Sequence, residues 1–144
     1  MSNEVNADCV FCKIVAGEIP CHQIFSNDVV LAFLDIGPVS AGHVLLIPKR
    51  HCDSIVDLPS DVASAIGETL PRLARAVIDT VSADGLNVLQ NNGECAGQVV
   101  NHAHFHLIPR TKDDGLGYRW RSGEYRAGEA EQLCGKISGS LAGQ

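Results

Sequence analysis

The feature that most constrains this 144-residue sequence is the stretch Asn101-His102-Ala103-His104-Phe105-His106-Leu107-Ile108-Pro109-Arg110. Three of the six histidines fall on alternate positions, and a strict period of two is the pattern of a half-buried strand. A strand over residues 102–108 is therefore predicted, with the imidazoles on one face and Ala103, Phe105 and Leu107 turned to a core. At a rise of about 3.3 Å per residue, successive histidines stand roughly 6.6 Å apart, too far to bond one another but near enough to serve one ligand or two adjacent sites. The rival explanations are a solvated surface run and a single three-histidine metal site. Histidine has no special strand preference that would gather three at a surface, whereas alternate strand histidines can bind one ion, so the second rival stays open at this point.

The length fits one domain, and 45 % hydrophobic residues supply a single core. A net charge of −6, with the basic residues scattered, argues against a nucleic-acid-binding surface. No apolar run approaches the eighteen residues that span a bilayer, and the N-terminus is polar and acidic rather than a signal peptide, so no membrane partner and a cytoplasmic location are expected. In a reducing cytosol the six cysteines are expected as metal ligands or buried thiols rather than a disulfide framework. Cys21, Cys52, Cys95 and Cys134 say little more.

Along the chain, Cys9-Val10-Phe11-Cys12 opens a short helical segment over residues 9–16 that Gly17 closes. By itself C-x2-C is weak. A redox pair wants a βαβ context, which is missing, while a four-ligand zinc site needs two more ligands, and downstream histidines suit. Residues 23–25 and 29–34 around Ser26-Asn27-Asp28 read as a hairpin, and 43–47 as a third, buried strand. From Ser60 to about Ser82, Val62, Ile66, Leu70, Leu73, Val77 and Val81 recur at helical steps, with Ser60 as N-cap. Pro71 costs such a helix about 3 kcal/mol and predicts a kink or local break near Glu68. Residues 85–90 form a fourth strand, 91–97 a glycine turn, and 102–108 the fifth strand. The order β-β-β-helix-β-β predicts an α+β domain, an antiparallel sheet with the long helix on one face. The single domain has its core over about 9–120 and a flexible tail over 111–144, in which Tyr118 and Trp120 act as anchors and 128–141 is a weak helix interrupted by Gly135 and Gly139.

At this point the sequence resembles a known family. Histidine, apolar, histidine, apolar, histidine, apolar, apolar is the signature of the histidine triad (HIT) nucleotide hydrolases and transferases, and His102 to Ile108 fill every position of it. Phe11-Cys12-Lys13-Ile14 with Gly17-Glu18-Ile19-Pro20, Ala32-Phe33-Leu34-Asp35-Ile36, Gly42-His43-Val44-Leu45-Leu46-Ile47-Pro48-Lys49, and Asn91-Asn92-Gly93 with Gly97-Gln98 resemble family segments in family order. The resemblance implies a HIT-like fold with a five-stranded antiparallel sheet, one long helix and short terminal helices. It implies a homodimer in which ten strands run across two subunits, which would also cover an exposed sheet edge.

The same resemblance assigns roles. His104, the middle histidine, is the expected nucleophile, forming a nucleotidyl-histidine that water hydrolyses. His106 would contact the phosphoryl oxygens, and His43 matches an active-site histidine near the phosphate. Attack requires a neutral imidazole with one nitrogen free and the other held. Gly93 and Gly97 suit a turn whose backbone approaches a phosphate; Asn91 and Gln98 would serve the ribose-phosphate, and Asp35 the ribose hydroxyls, although Asp before Ile-Gly-Pro is also ordinary turn chemistry. Phe11, Ile14, Ile19, Phe33 and Ile36 would line the base pocket or the core. Val99 departs from the Ser or Thr common after the glutamine, leaving only a backbone N–H there.

In the zinc-containing branch, similar to the Hint-like phosphoramidases, the first triad histidine binds a structural zinc. The resemblance thus implies Cys9, Cys12, His51 and His102 as ligands. A Cys2His2 site uses His102 alone and places His104 and His106 about 6.6 Å and 13 Å along the strand, beyond zinc–nitrogen bonding distance. The implied activity is hydrolysis at the α-phosphate of a purine nucleotide derivative: a nucleoside phosphoramidate, an aminoacyl-adenylate or a dinucleoside polyphosphate. The alternatives are a nucleotidyltransferase or phosphorylase, and a zinc-stabilised nucleotide-binding or interaction module without turnover. Transferases of the family are generally longer and commonly carry glutamine where this chain has His106, and a pure binder has no need of His104.

Overall fold

The computed structural model describes residues 5–117 and 120–144. The chain divides into two units, Met1–Asp114 and Gly115–Gln144.

In the first unit the elements run α1 (Val10–Val15), β1 (Gln23–Ser26), β2 (Val30–Leu34), β3 (Val44–Pro48), α2 (Ser60–Val81), β4 (Gly85–Gln90) and β5 (Phe105–Arg110). The strands form one antiparallel sheet in the order β1-β2-β3-β5-β4. The hairpin turns where predicted because the Asn27 side-chain oxygen accepts from the backbone N–H of both Val29 and Val30, each at 2.8 Å.

Strand alternation sorts the core into two layers. Val30 and Ala32 of β2, Val44 and Leu46 of β3, and Phe105 and Leu107 of β5 face Val62, Ile66, Leu73 and Val77 of α2. Leu31, Phe33, Leu45 and Ile47 point the other way and pack with Cys9, Phe11 and Cys12 of the α1 segment. The two central strands β2 and β3 are therefore covered on both faces, which is why they read as unbroken apolar runs. His106, between Phe105 and Leu107, necessarily lies on the α1 side.

α2 differs from its predicted form in two details. Its N-cap is Pro59, whose φ of −62° and extended ψ lead into the helix and whose carbonyl accepts from Ala63 N–H at 2.9 Å; Ser60 is already helical. The helix also runs unbroken through Pro71, so the break near Glu68 does not occur. The N–H that Pro71 lacks would have met the carbonyl of Gly67, and both residues lie on the exposed side, where water can serve that oxygen. Thr69 rather than Leu70 is fully buried on the stripe, its hydroxyl satisfied by the Ala65 carbonyl at 2.7 Å.

The predicted fifth strand starts three residues too early. β5 begins at Phe105, because the residues before it send their backbone bonds elsewhere: Ala103 N–H to the Cys52 carbonyl at 2.6 Å and His102 N–H to the Val100 carbonyl at 2.9 Å. Only His106 of the triad is a strand residue, and the three imidazoles do not form one evenly spaced row.

The second unit holds α3 (Glu129–Ala142), which passes through Gly135 and Gly139 and buries none of its residues. Its start is marked by Gly128 at φ +79° and by the Glu129 carboxylate, which accepts from Arg126 N–H at 2.9 Å. Trp120 is 80 % exposed, and Tyr118, the other expected anchor, lies outside the described residues. Among the described residues no helix is long and apolar enough to cross a membrane.

Candidate active site

A cleft of about 490 Å³ opens on the α1 side of the sheet. His104, His106 and His43 line it, together with Phe11, Ile14, Ile19, Phe33, Asp35, Ile36, Asn91, Gly97 and Val99, so the residues expected for catalysis or nucleotide contact meet at one place except Gly93, at the far end of the glycine turn, and one side chain. That side chain belongs to Gln98. Its amide is spent inside the turn, donating to the carbonyls of Asp53 at 2.7 Å and Val100 at 3.0 Å and accepting from Gly93 N–H at 2.8 Å. Gly93 and Gly97 adopt φ of +86° and +92°, values that side-chain-bearing residues avoid, so the turn depends on glycine at both ends.

The partners of each imidazole assign its tautomer. His104 donates Nδ1–H to the carbonyl of His102 at 2.7 Å, which leaves its Nε2 as a lone pair. His43 accepts Val39 N–H on Nδ1 at 3.1 Å; its proton is therefore on Nε2 and is donated to Nδ1 of His106 at 2.9 Å. His106 then carries its own proton on Nε2. One lone pair and one donor stand side by side, with the rings of His104 and His106 at 4.9 Å.

Burial, then the neighbouring His104 and His43, push His106 down to about 4, and burial pushes His43 down as well, with Asp35 opposing in both cases. Both rings are thus neutral at pH 7. Asp35 stands 3.6 Å from His43 Nε2, and its other oxygen accepts from Gly37 N–H at 2.8 Å. The turn chemistry and the exposure to the cleft both belong to this one carboxylate.

The walls include residues not singled out from the sequence. Leu45 and Leu89 sit directly across from His106 in the flanking strands, and Ile108 lies two residues beyond it on the same face. Strand parity alone identifies Ile108, while the other two need the register. Phe11 stands edge-on to His104 at 5.2 Å and to His102 at 5.7 Å, so it belongs both to the cleft wall and to the buried layer behind it.

A second cluster lies behind Phe11. Cys9, Cys12, His51 and His102 bring one ligand atom each to within 4.8 Å of one another. His102 is fully buried and donates Nε2–H to the Pro48 carbonyl at 2.8 Å; His51 donates Nε2–H to Asp53 at 2.9 Å. Each therefore turns an Nδ1 lone pair inward, onto Sγ of Cys9 at 3.4 Å and of Cys12 at 3.3 to 3.7 Å. In a tetrahedral site with zinc–sulfur and zinc–nitrogen bonds of about 2.3 and 2.0 Å, sulfur and nitrogen stand about 3.5 Å apart. The donor set fits such an ion. Burial pushes the Cys12 thiol up, so a thiolate there calls for a cation to stabilise it. A third grouping, Asp35, His43 and His106, is different in kind, because the gap between its two imidazoles is already bridged by the His43 proton.

None of the six cysteines forms a disulfide. Asp53 and the Pro48 carbonyl, which hold the two histidines of this cluster, were not foreseen. Pro48 could have been: a strand that ends just before Lys49-Arg50-His51 leaves a carbonyl there.

Residues 16–113 match the family model described as the HIT domain. The chain is 41 % identical over 138 residues to "Protein hit" of Bacillus subtilis, covering 94 % of this chain and 95 % of that protein. It is 42 % identical over 134 residues to the adenosine 5'-monophosphoramidase of Schizosaccharomyces pombe, covering 92 % and 98 %. A solved structure, a zinc-bound histidine triad family protein from Mycobacterium smegmatis, superposes with a TM-score of 0.72 at 33 % identity, covering 95 % of this chain and 98 % of the other. With His104 and His106 in the cleft, His102 directly behind it, and these matches across most of its length, the chain belongs to the HIT domain family.

Proposed function

We propose that this protein hydrolyses purine nucleoside derivatives at the α-phosphorus through a nucleotidyl-histidine on His104. The observation that carries the reading is the His104 tautomer: its Nδ1–H is tied to the His102 carbonyl, so the Nε2 lone pair faces the cleft. In the first step that lone pair forms a bond to phosphorus, the bond from phosphorus to the leaving group breaks, and the departing atom takes a proton from solvent. The imidazole gains positive charge, which strengthens its bond to the carbonyl. His106 Nε2–H donates to the phosphoryl oxygens as charge grows on them, and His43 holds that ring in its donor orientation through Nδ1. In the second step water attacks phosphorus, loses its proton to solvent, and the electron pair of the phosphorus–nitrogen bond returns to Nε2. Asp35 would accept from the ribose hydroxyls, the apolar wall of Phe11, Ile14, Ile19, Phe33 and Ile36 would take the base, and Asn91 with the Gly97-Gln98-Val99 backbone would serve the phosphate. Gln98 acts there by holding the turn, and its side chain is not a direct ligand.

A phosphoramidate ranks first among the substrates because the S. pombe relative is named an adenosine 5'-monophosphoramidase. Incubation with a panel of adenosine and guanosine phosphoramidates, aminoacyl-adenylates and dinucleoside polyphosphates tests this. Release of the nucleoside monophosphate, with an acid-labile nucleotide adduct trapped on the protein, is expected; tight binding with no turnover of any of them would favour the non-catalytic module instead, and transfer to added phosphate would favour a phosphorylase.

We assign a structural zinc to Cys9, Cys12, His51 and His102, on the fit of the four donors and the zinc-bound relative. Bound there, the ion would tie α1 to the segment that carries His104 without reaching substrate. We also propose a homodimer in the cytoplasm: β4 is an edge strand with Val88 half exposed, which invites pairing with a second copy, and six cysteines that form no disulfide suit a reducing compartment. Sedimentation at micromolar concentration should give twice the 15.3 kDa chain mass; a monomer would contradict it.

A further inference from the structure

Besides the His102 carbonyl that accepts from His104, a short loop joins the metal cluster to the nucleotide cleft, and one of its residues is bonded toward both. The Asp53 carboxylate accepts from Nε2–H of His51 at 2.9 Å, while its backbone carbonyl accepts from the side-chain amide of Gln98 at 2.7 Å. Gln98 in turn holds Gly93 N–H at 2.8 Å, at the base of the glycine turn whose Asn91 and Gly97 line the cleft. Two struts run alongside: Ile55 N–H to the Asn92 side-chain oxygen at 2.8 Å, and Ala103 N–H to the Cys52 carbonyl at 2.6 Å.

We propose that Asp53 is a positioning residue that couples the metal site to the nucleotide cleft, its carboxylate fixing His51 as an Nδ1 ligand and its carbonyl holding Gln98 beneath the glycine turn. The proposal rests on the metal reading above. A neutral imidazole without a partner exchanges its proton between the two nitrogens, and the wrong tautomer puts N–H where a metal ligand is needed. A carboxylate on Nε2–H selects the right tautomer and makes Nδ1 the stronger donor. Such partners change metal affinity by about 10- to 100-fold, and because the Asp53 side chain is 71 % exposed, solvent screening places its effect at about the lower end. The metal in turn draws His51 and the loop after it into place, and the Asp53 carbonyl with it. Coupling of this kind is reciprocal, so metal occupancy should favour nucleotide binding as much as nucleotide favours the metal.

Zinc dissociation constants from competition with a chromogenic chelator, on the full chain, read the first half of the link. Asp53→Ala should weaken zinc by about tenfold, and Asp53→Asn by less, because an amide oxygen still accepts from Nε2–H without the charge. The metal-free forms should melt close to metal-free wild type, since the Asp53 carboxylate is 71 % exposed and its bond to a neutral, unliganded His51 contributes little. The second half is read with AMP: its affinity for wild type should fall severalfold when zinc is removed, and that ratio should collapse toward one in Gln98→Leu, where the tie to the Asp53 carbonyl is cut. Unchanged zinc affinity in Asp53→Ala, a matching loss of stability in its metal-free form, or AMP affinity indifferent to zinc in wild type would each overturn the proposal. Wild type that binds no zinc at all would instead overturn the metal reading, and this inference with it.

Discussion

His102 and His104 are two residues apart and hold opposite tautomers, and the contrast explains why neighbouring members of one motif can do unrelated work. His104 spends Nδ1–H on the His102 carbonyl and offers Nε2 to an open cleft; His102 spends Nε2–H on the Pro48 carbonyl and offers Nδ1 to two buried thiols. Each ring is pinned by one backbone oxygen. Which nitrogen is pinned decides whether the free lone pair meets the open cleft or the buried thiols. The segment can present both because it is not a regular strand there: Ala103 N–H bonds to Cys52, and the chain turns the two side chains to separate chambers with Phe11 between them.

The largest expected effect comes from removing the open lone pair. His104→Ala should lower kcat by well over the 10²–10⁴-fold range, roughly, that acid–base support alone accounts for, while AMP still binds. Retention of more than about a hundredth of the wild-type rate would show that His104 supports the reaction without bonding to phosphorus.

On the metal side of the contrast, Cys9→Ser with Cys12→Ser should abolish zinc, measured by elemental analysis at near one ion per wild-type chain. It should also lower Tm, by several degrees if the ion contributes about 1–2 kcal/mol net in a domain of this size. Wild type that is metal-free, with a Tm the double variant shares, would contradict the assignment. A kcat that falls with the metal while KM holds would place the effect on the His104 ring, which Phe11 touches from the metal side.

A smaller effect sharpens the cleft side. His106 stays neutral in the fold down to about 4, whereas its unfolded value is 6.5. Between those values the unfolded chain binds a proton that the folded chain does not, so stability contributed by this site drains as pH falls from 6.5 toward 4 and then levels off. His106→Gln has no such group. The stability difference between wild type and His106→Gln, followed by denaturant unfolding across that window, should therefore shift in favour of the variant as pH falls. A constant difference would mean that His106 is not held neutral.

Much of this was legible in the sequence, for local reasons. The α2 stripe, the β4 limits and the Asn27 turn depend on residues close to one another, and their chemistry appears within a few positions. The triad was legible as a site but not as a conformation: period two at 102–108 says strand, and nothing nearby in sequence reveals that Ala103 N–H goes to Cys52, some fifty residues earlier. Gln98 was expected on the ribose-phosphate from the family resemblance; the Asp53 and Val100 carbonyls that occupy its amide are a matter of how two loops meet. Asp53 itself was missed for the same reason, although a carboxylate two residues after a histidine expected as a ligand is a hint already present in His51-Cys52-Asp53.

The contrast between the two imidazoles can be observed without any substitution. Long-range ¹H–¹⁵N correlation spectra of the ring nitrogens, recorded on zinc-loaded protein near pH 7.5, report which nitrogen of each histidine carries its proton. The account predicts His104 as the Nδ1–H tautomer, with Nε2 in the unprotonated range, and His102 as the Nε2–H tautomer with Nδ1 shifted by the metal. Protonated Nε2 on His104 would leave no lone pair facing the cleft and would contradict it.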